Sequence, residues 1–473
     1  MEKPTIILAT SNGVGMGHLA RASAIALALK EYANPIIISM AGGIAEIPEY
    51  MGIRCEYIPG RDRMWMSREK WDEYLRDRLM ALVDETGARV MSFDGVVPYP
   101  GVIAAKFSHP KLALVWVRRG LWQKKPQRLV LGLQSQMMDY IVEPGDFARA
   151  YDFGPTAERT DARLTAPVSL FQKDSALSRD EARTVLGLDL NRPAVLVQLG
   201  TGDSDVNEKM TAALSGLLGW KDLQVILTKQ PLDKDGKSLA PEGLDIRVVR
   251  HFPLARVLHA FEAAVCATGY NGVHELLPAQ VPTVFVSNIR GTDDQEARAQ
   301  WCHDMGFALR ANQADLRDIT ATVKKLQDPQ TRARLSKKCA ELPDPTGGAE
   351  IAKILYELAI QEEPIRPSWL RYKQLRAQDH INRGMRHLIY LGLRRLALVY
   401  RFINPHIVVQ VTQVEPPVWG SQNTAHELHP LIKGPQRFEH LITGASESYI
   451  KRRHEIADAA YGKKVEVIKR KKA

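Results

Sequence analysis

The sequence predicts an α/β protein of two doubly wound, Rossmann-like parallel-sheet halves facing a cleft, followed by a basic, mainly helical extension. Three observations carry this expectation. Residues 1–163 alternate apolar runs with stretches of helical period, as a parallel sheet covered on both faces requires. The alternation restarts near Ala166 and fills a second stretch of similar size, 164–363. Beyond it, 364–473 changes character to prolines, aromatics and a surplus of basic residues.

In the first half the strands are expected at Thr5–Thr10, Pro35–Met40, Val90–Phe93 and Leu112–Val117, with an amphipathic helix over Arg68–Val83. The first strand runs into Gly13-Val14-Gly15-Met16-Gly17-His18-Leu19-Ala20-Arg21, after which Ala22, Ile25, Ala26 and Leu29 recur at helical spacing. The glycines thus occupy a strand-to-helix turn. Such a turn lets backbone approach a ligand and presents the unpaired N–H groups of a helix start. Gly15, Gly17 and Arg21 are therefore candidates for meeting an acceptor or a phosphate. His18 adds a group that exchanges a proton near neutral pH; it reads equally as a structural residue of the first helical turn. A dinucleotide site would need an acidic residue at the end of the next strand. Ser39-Met40-Ala41-Gly42-Gly43 offers none. Asp94 closes a strand, where it either orients a neighbour or merely makes a turn. Arg118 and Arg119 follow another strand and either face the cleft or are solvated.

In the second half, Ala194–Leu199 leads into Gly200-Thr201-Gly202-Asp203 and a helical stretch, Asn207–Leu218. Gly200 and Thr201 are phosphate-cradle candidates. Strands are then expected at Gln224–Thr228, Asp245–Val249, Ala263–Ala267 and Thr283–Val286. The run Cys266-Ala-Thr-Gly269-Tyr270-Asn271-Gly272-Val-His-Glu275 passes from strand through a small-residue turn to a helix start, a cradle for phosphate. Glu275, one turn in, could accept two hydroxyl hydrogen bonds, as from a ribose, or simply complement the helix dipole. After the last strand come Asp293-Asp294-Gln295-Glu296. Gln295 and Glu296 suit sugar hydroxyls, and the two aspartates suit helix caps.

The chain has 473 residues, 45% hydrophobic and 25% charged, the composition of an ordinary globular protein of two or three domains. It shows no apolar run of about twenty residues, the length a spanning helix needs. Its start lacks a signal-peptide pattern, and its four widely spaced cysteines lack metal-ligand spacing. A cytoplasmic protein with reduced thiols and no metal is expected. The formal charge of +10 concentrates after Pro364 and in Lys463–Lys472. Between Trp369 and Arg401 aliphatic and aromatic residues interleave with arginine and lysine. That describes either an interfacial helix on an anionic membrane or a helix packing across the two halves. No nucleic-acid-binding motif accompanies the basic residues.

Together these residues resemble the GT-B glycosyltransferases over roughly residues 4–360. Gly15-x-Gly17-His18-x-x-Arg21 is similar to the UDP-sugar hydrolase of pseudaminic acid synthesis. Gly269 through Glu275, then Pro282 and Gln295, resemble the bacterial peptidoglycan N-acetylglucosaminyltransferase family. The resemblance implies a UDP-sugar donor, with Glu275 on the nucleotide ribose and the backbone of Tyr270, Asn271 and Gly272 on the diphosphate. It also implies donor-sugar contacts from Gln295 and Glu296, and the nucleotide base near His251-Phe252. That family carries glutamine where Glu296 stands, a departure that bears on donor identity. The expected activity is inverting, metal-independent sugar transfer, without a cofactor, to a hydroxyl of a lipid- or polymer-linked glycan. His18 would be the base and Asp94 its orienting partner. The alternatives are a UDP-sugar hydrolase, a nucleotide-sugar epimerase and a non-catalytic sugar- or polyanion-binding protein.

Overall fold

The computed structural model describes residues 2–11, 16–40, 51–58, 60, 68–109, 111–124, 135–200, 204–228, 240–249, 251–288, 292–362 and 445–461, with isolated helical positions 373, 377, 381, 388 and 392. Gly15, Thr201, the interfacial-helix expectation over 369–401 and the terminal lysines fall outside these, the isolated positions apart.

The first sheet has seven strands, all parallel: β1 (Thr5–Thr10), β2 (Asn34–Ser39), β3 (Arg54–Tyr57), β4 (Val90–Asp94), β5 (Ala113–Val117), β6 (Tyr140–Glu143) and β7 (Arg163–Leu164). Their spatial order is β3-β2-β1-β4-β5-β6-β7. The second sheet contains β8 (Ala194–Gln198), β9 (Gln224–Leu227), β10 (Asp245–Val248), β11 (Ala263–Ala267), β12 (Thr283–Val286) and β13 (Leu309–Ala311). It too is wholly parallel, ordered β10-β9-β8-β11-β12-β13. Both orders run outward in two directions from a central pair, β1/β4 and β8/β11. Ligands in such sheets lie beyond the carboxyl ends of that pair. In the first sheet Thr10 stands opposite Asp94, so the turn after β1 and the end of β4 share one rim.

The strands form because both sheet faces are covered. Along β1, Ile6 and Leu8 enter one apolar cluster while Ile7 and Ala9 enter another, all buried. This two-sided burial explains the continuous apolar runs visible in the sequence. β3 shows no such run because Arg54 and Glu56 carry half of it. β6, β7 and β13 are short and mixed in composition, and the sequence did not mark them.

The helices are α1 (Gly17–Leu29), α2 (Arg68–Thr86), α3 (Pro100–Ser108), α4 (Arg179–Leu186), α5 (Ser204–Gly216), α6 (Tyr270–Leu276), α7 (Gln295–Asp304), α8 (Leu316–Lys324), α9 (Pro329–Cys339), α10 (Gly347–Ile360) and α11 (Glu447–Tyr461). Two of them cross the boundaries drawn from composition. α10 leaves the second half and packs on α1, β1 and β4 of the first. A Cβ on Gly347 would stand 1.9 Å from the Ala166 carbonyl oxygen, so only glycine permits this crossing. α11, from the extension, packs on α2. None of the described helices is long and apolar enough to cross a membrane.

Candidate active site

The helix α1 carries His18 and Arg21 at the rim where β4 ends in Asp94. His18 Nδ1 lies 2.7 Å from Asp94 Oδ1. Arg21 donates a fork to the same carboxylate, Nε to Oδ2 at 2.9 Å and Nη2 to Oδ1 at 2.6 Å, and Nη2 also lies 2.8 Å from His18 Nδ1. Nδ1 cannot both donate to the carboxylate and accept from the guanidinium. The short approach to an anionic oxygen assigns the proton to Nδ1, which leaves the Nε2 lone pair as a base. Burial holds the imidazole below its ordinary pKa; Asp94 opposes this, and Arg21 and Arg119 add to it. Burial would raise the Asp94 carboxyl, but Arg21 and His18 reverse it and hold it at about 2. The result is a neutral imidazole beside a fixed carboxylate. Arg21 is buried behind the imidazole, its guanidinium committed to Asp94.

The second sheet brings its own turn to the same place. Gly269 caps α6 without any side-chain hydrogen bond, and a Cβ there would meet open space. The first N–H groups of a helix have no intrahelical partners. Asn271 donates through Nδ2 to Gly17 O at 3.1 Å, and its Oδ1 is buried without a partner. The Tyr270 ring lies under Arg21, 5.1 Å from centroid to guanidinium carbon. Its hydroxyl donates to Gly145 O at 2.7 Å and accepts from Val168 N at 2.9 Å. Fully buried His274 accepts at Nε2 from Phe147 N at 3.1 Å, which leaves Nδ1–H to donate to Tyr270 O at 2.6 Å. Burial pushes its pKa down to about 4, so it is a neutral strut between the halves.

A third tie joins the loop after β5 to the loop before α7. Asp294 N donates to Leu121 O and Gln123 N to Thr292 O, at 3.0 and 2.8 Å. Leu121 adopts a left-handed φ of 55° there, a strained setting for a leucine. Arg118 is fully buried against Glu143 and Asp161, and Arg119 lies 3.6 Å from Asp293. Neither is simply solvated. Asp294 is the cap of α7, accepting from Ala297 N. Asp293 instead meets Arg298 at 3.0 Å, and Arg298 also reaches Asp146 at 3.0 Å.

The other candidates are distributed as follows. Glu275, half-buried, has no hydrogen-bonding partner among the described residues, and burial alone pushes its carboxyl up to about 8. Gln295 is buried, with Oε1 accepting from Asn288 N at 2.9 Å and Nε2 directed to Asp293. Glu296 sits apart, 43% exposed and ion-paired with Arg310 on β13. Gly200 has a φ of 93°, which favours glycine. Phe252 is packed half-buried against the larger apolar cluster. No group of metal-ligating side chains occurs among the described residues.

No family model matches the chain. It is 24% identical, over 76% of its length and 98% of the relative's, to the UDP-N-acetylglucosamine--N-acetylmuramyl-(pentapeptide) pyrophosphoryl-undecaprenol N-acetylglucosamine transferase of Rhodococcus opacus (strain B4). A protein of the same description from Nocardioides sp. is 30% identical over 194 residues, 40% of this chain and 53% of the relative. Among solved structures, the glycotransferase of kitacinnamycin aligns with a TM-score of 0.51 at 16% identity, over 76% of this chain and 99% of that one. A structure assigned as a UDP-N-acetylglucosamine 2-epimerase from Listeria monocytogenes gives 0.53 at 14% identity, over 78% and 99%. The two-sheet architecture is the GT-B fold, as the resemblance implied, and the chain is a homologue of named glycosyltransferases.

Proposed function

We propose that this GT-B enzyme transfers a sugar from a UDP-linked donor to a hydroxyl of a lipid- or polymer-linked glycan, with inversion and without a metal. The observation that carries this reading is the apposition of the His18–Asp94 pair, on the first sheet, with the Tyr270–Asn271 turn of the second. An inverting displacement needs a base on one side of the anomeric carbon and a stabilised leaving group on the other. His18 Nε2 takes the acceptor proton. Asp94 fixes the tautomer through Nδ1–H and stabilises the imidazolium that forms. The backbone N–H groups at Gly269–Gly272 receive the leaving diphosphate, with Gly200 flanking it. Glu275, without a hydrogen-bonding partner among the described residues, accepts the ribose hydroxyls, and Phe252 addresses the base. Gln295 addresses the donor sugar; Glu296, turned to Arg310, does so only by giving up that pair. Gly17, at the start of α1, shapes the acceptor side.

The description of the Rhodococcus relative names a pyrophosphoryl-undecaprenol acceptor and supports a comparable lipid-linked acceptor here; a cytoplasmic place at the membrane's inner face is part of the same proposal. The test is nucleotide release from a panel of nucleotide sugars, in chelator, with and without lipid extract. Release that requires the extract supports transfer. Release without it would favour hydrolysis. His18→Ala should cut turnover by about 100- to 10,000-fold, and near-normal turnover in the purified variant would remove His18 as the base.

A further inference from the structure

Among the described residues of the crevice, the guanidinium of Arg119 is a strongly charged group that the proposed chemistry leaves unused. It makes no hydrogen bond with any described residue. Its Nε is buried without a partner, and its nearest carboxylate oxygen, Asp293 Oδ2, stands 3.6 Å away. That carboxylate is already engaged by Arg298 and Gln295. Burial lowers the Arg119 pKa, and Asp293 and Asp94 offset this only in part while Arg21 and Arg298 add to it. A buried Nε with no hydrogen-bond partner among the described residues is a cost that folding carries. Folds retain such costs where a ligand later relieves them.

The surroundings hold the residue in place. The Trp122 indole N–H donates to Arg119 O at 2.7 Å, and the loop is pinned across the cleft by the Leu121–Asp294 and Gln123–Thr292 bonds. Arg119 lies within electrostatic reach of His18 and faces Asp293 of the second half. Its donors therefore lie where the two substrates of a transfer would meet.

We propose that Arg119 is an oxyanion-binding subsite of the crevice, receiving a phosphate or carboxylate oxygen of a substrate beside His18. The inference rests on the transferase reading for its biological setting but not for its test. The oxyanion belongs either to the donor diphosphate or to an acidic group on the acceptor. A planar fork of N–H donors suits both.

The test compares wild type with Arg119→Gln and Arg119→Lys by calorimetry and thermal melting, with uridine, UDP and inorganic pyrophosphate as probes. Without ligand, Arg119→Gln should melt close to the wild-type temperature, because Arg298 still pairs with Asp293. A structural role would lower it. If the donor supplies the anion, Arg119→Gln weakens UDP about ten- to a hundredfold and leaves uridine unchanged. If the acceptor supplies it, UDP is unaffected, and pyrophosphate binding to the UDP-saturated protein is lost instead. Arg119→Lys should fall between, keeping the charge without the fork. Unchanged binding of both anions, or a lowered melting temperature in the ligand-free variant, overturns the subsite. Failure of UDP to bind wild type would count against the donor assignment alone, since pyrophosphate binding still reports on Arg119.

Discussion

His18 serves as a base only while its imidazole is neutral and its Nε2 is free, and Arg21 sets the first condition. A carboxylate alone would favour the imidazolium. Here the guanidinium shares that carboxylate, so burial prevails and the pKa falls. The base form therefore persists below the ordinary histidine range, and activity should fall as pH drops through the lowered pKa. Arg21→Gln leaves Asp94 opposed only by burial and Arg119, so the His18 pKa rises. The acid limb of kcat/KM should move to higher pH, and an NMR titration of His18 should move with it. An acid limb that stays in place would exclude this coupling. The place of His18 at the start of α1 was legible from the strand before it and the helical spacing after it. The burial of Arg21 was not, because a helical arginine carries no mark of the carboxylate that another strand brings to it. Arg119 was undecidable for the same reason: its partner lies 174 residues on, in the other half.

At the scale of elements, the least legible feature is the seat of α11. Glu56 on β3 is buried and meets Arg54 at 2.9 Å, Arg78 at 3.1 Å and the Tyr449 hydroxyl at 2.7 Å. Arg453 approaches to 3.7 Å. Burial would raise the Glu56 pKa, but the three guanidinium groups and the tyrosine hydroxyl bring it below its ordinary value. Its contribution to stability is therefore present above the unfolded carboxylate pKa and lost as pH falls through the lowered one. Glu56→Gln leaves buried guanidinium groups around a neutral amide. It should destabilise the protein by about 3–5 kcal/mol, read as a lower denaturant midpoint at unchanged slope. A change under about 0.5 kcal/mol would show the cluster to be solvated in solution. Composition marks 364–473 as an appendage. The charge pairing that sews its last helix to the first sheet depends on residues roughly four hundred positions apart.

For the whole molecule, Gln361 and Ser446 both meet the first half at one corner. Arg89 Nη2 donates to Gln361 O at 2.5 Å, and Ser446 N donates to Glu85 Oε1 at 2.7 Å. Glu85 and Arg89 are close enough for a linker of a few residues to join 362 to 445. Removing 363–444 in this way should keep the melting temperature near wild type, whereas stopping the chain at 362 should lower it by stripping α11 from Glu56. If 369–401 docks on anionic lipid, as its interleaved basic and apolar residues suggest, the internal deletion should no longer pellet with anionic liposomes. Equal pelleting with the full chain would sink that role.

The sequence by itself determined the two-fold repetition of parallel α/β units, the positions of the central strands and the strand-to-helix turn at Gly269. Each of these is written in local patterning, where two-sided burial demands unbroken apolar runs and a strand-to-helix turn shows as small residues between an apolar run and a helical period. Only the tertiary structure decided which side chains share the crevice. It set His18 against Asp94, seated Arg21 over Tyr270, turned Glu296 away to Arg310 and left Arg119 without a hydrogen bond. Those outcomes depend on pairing between strands and between halves, and a charged residue's local sequence does not say which opposite charge the fold will bring to it.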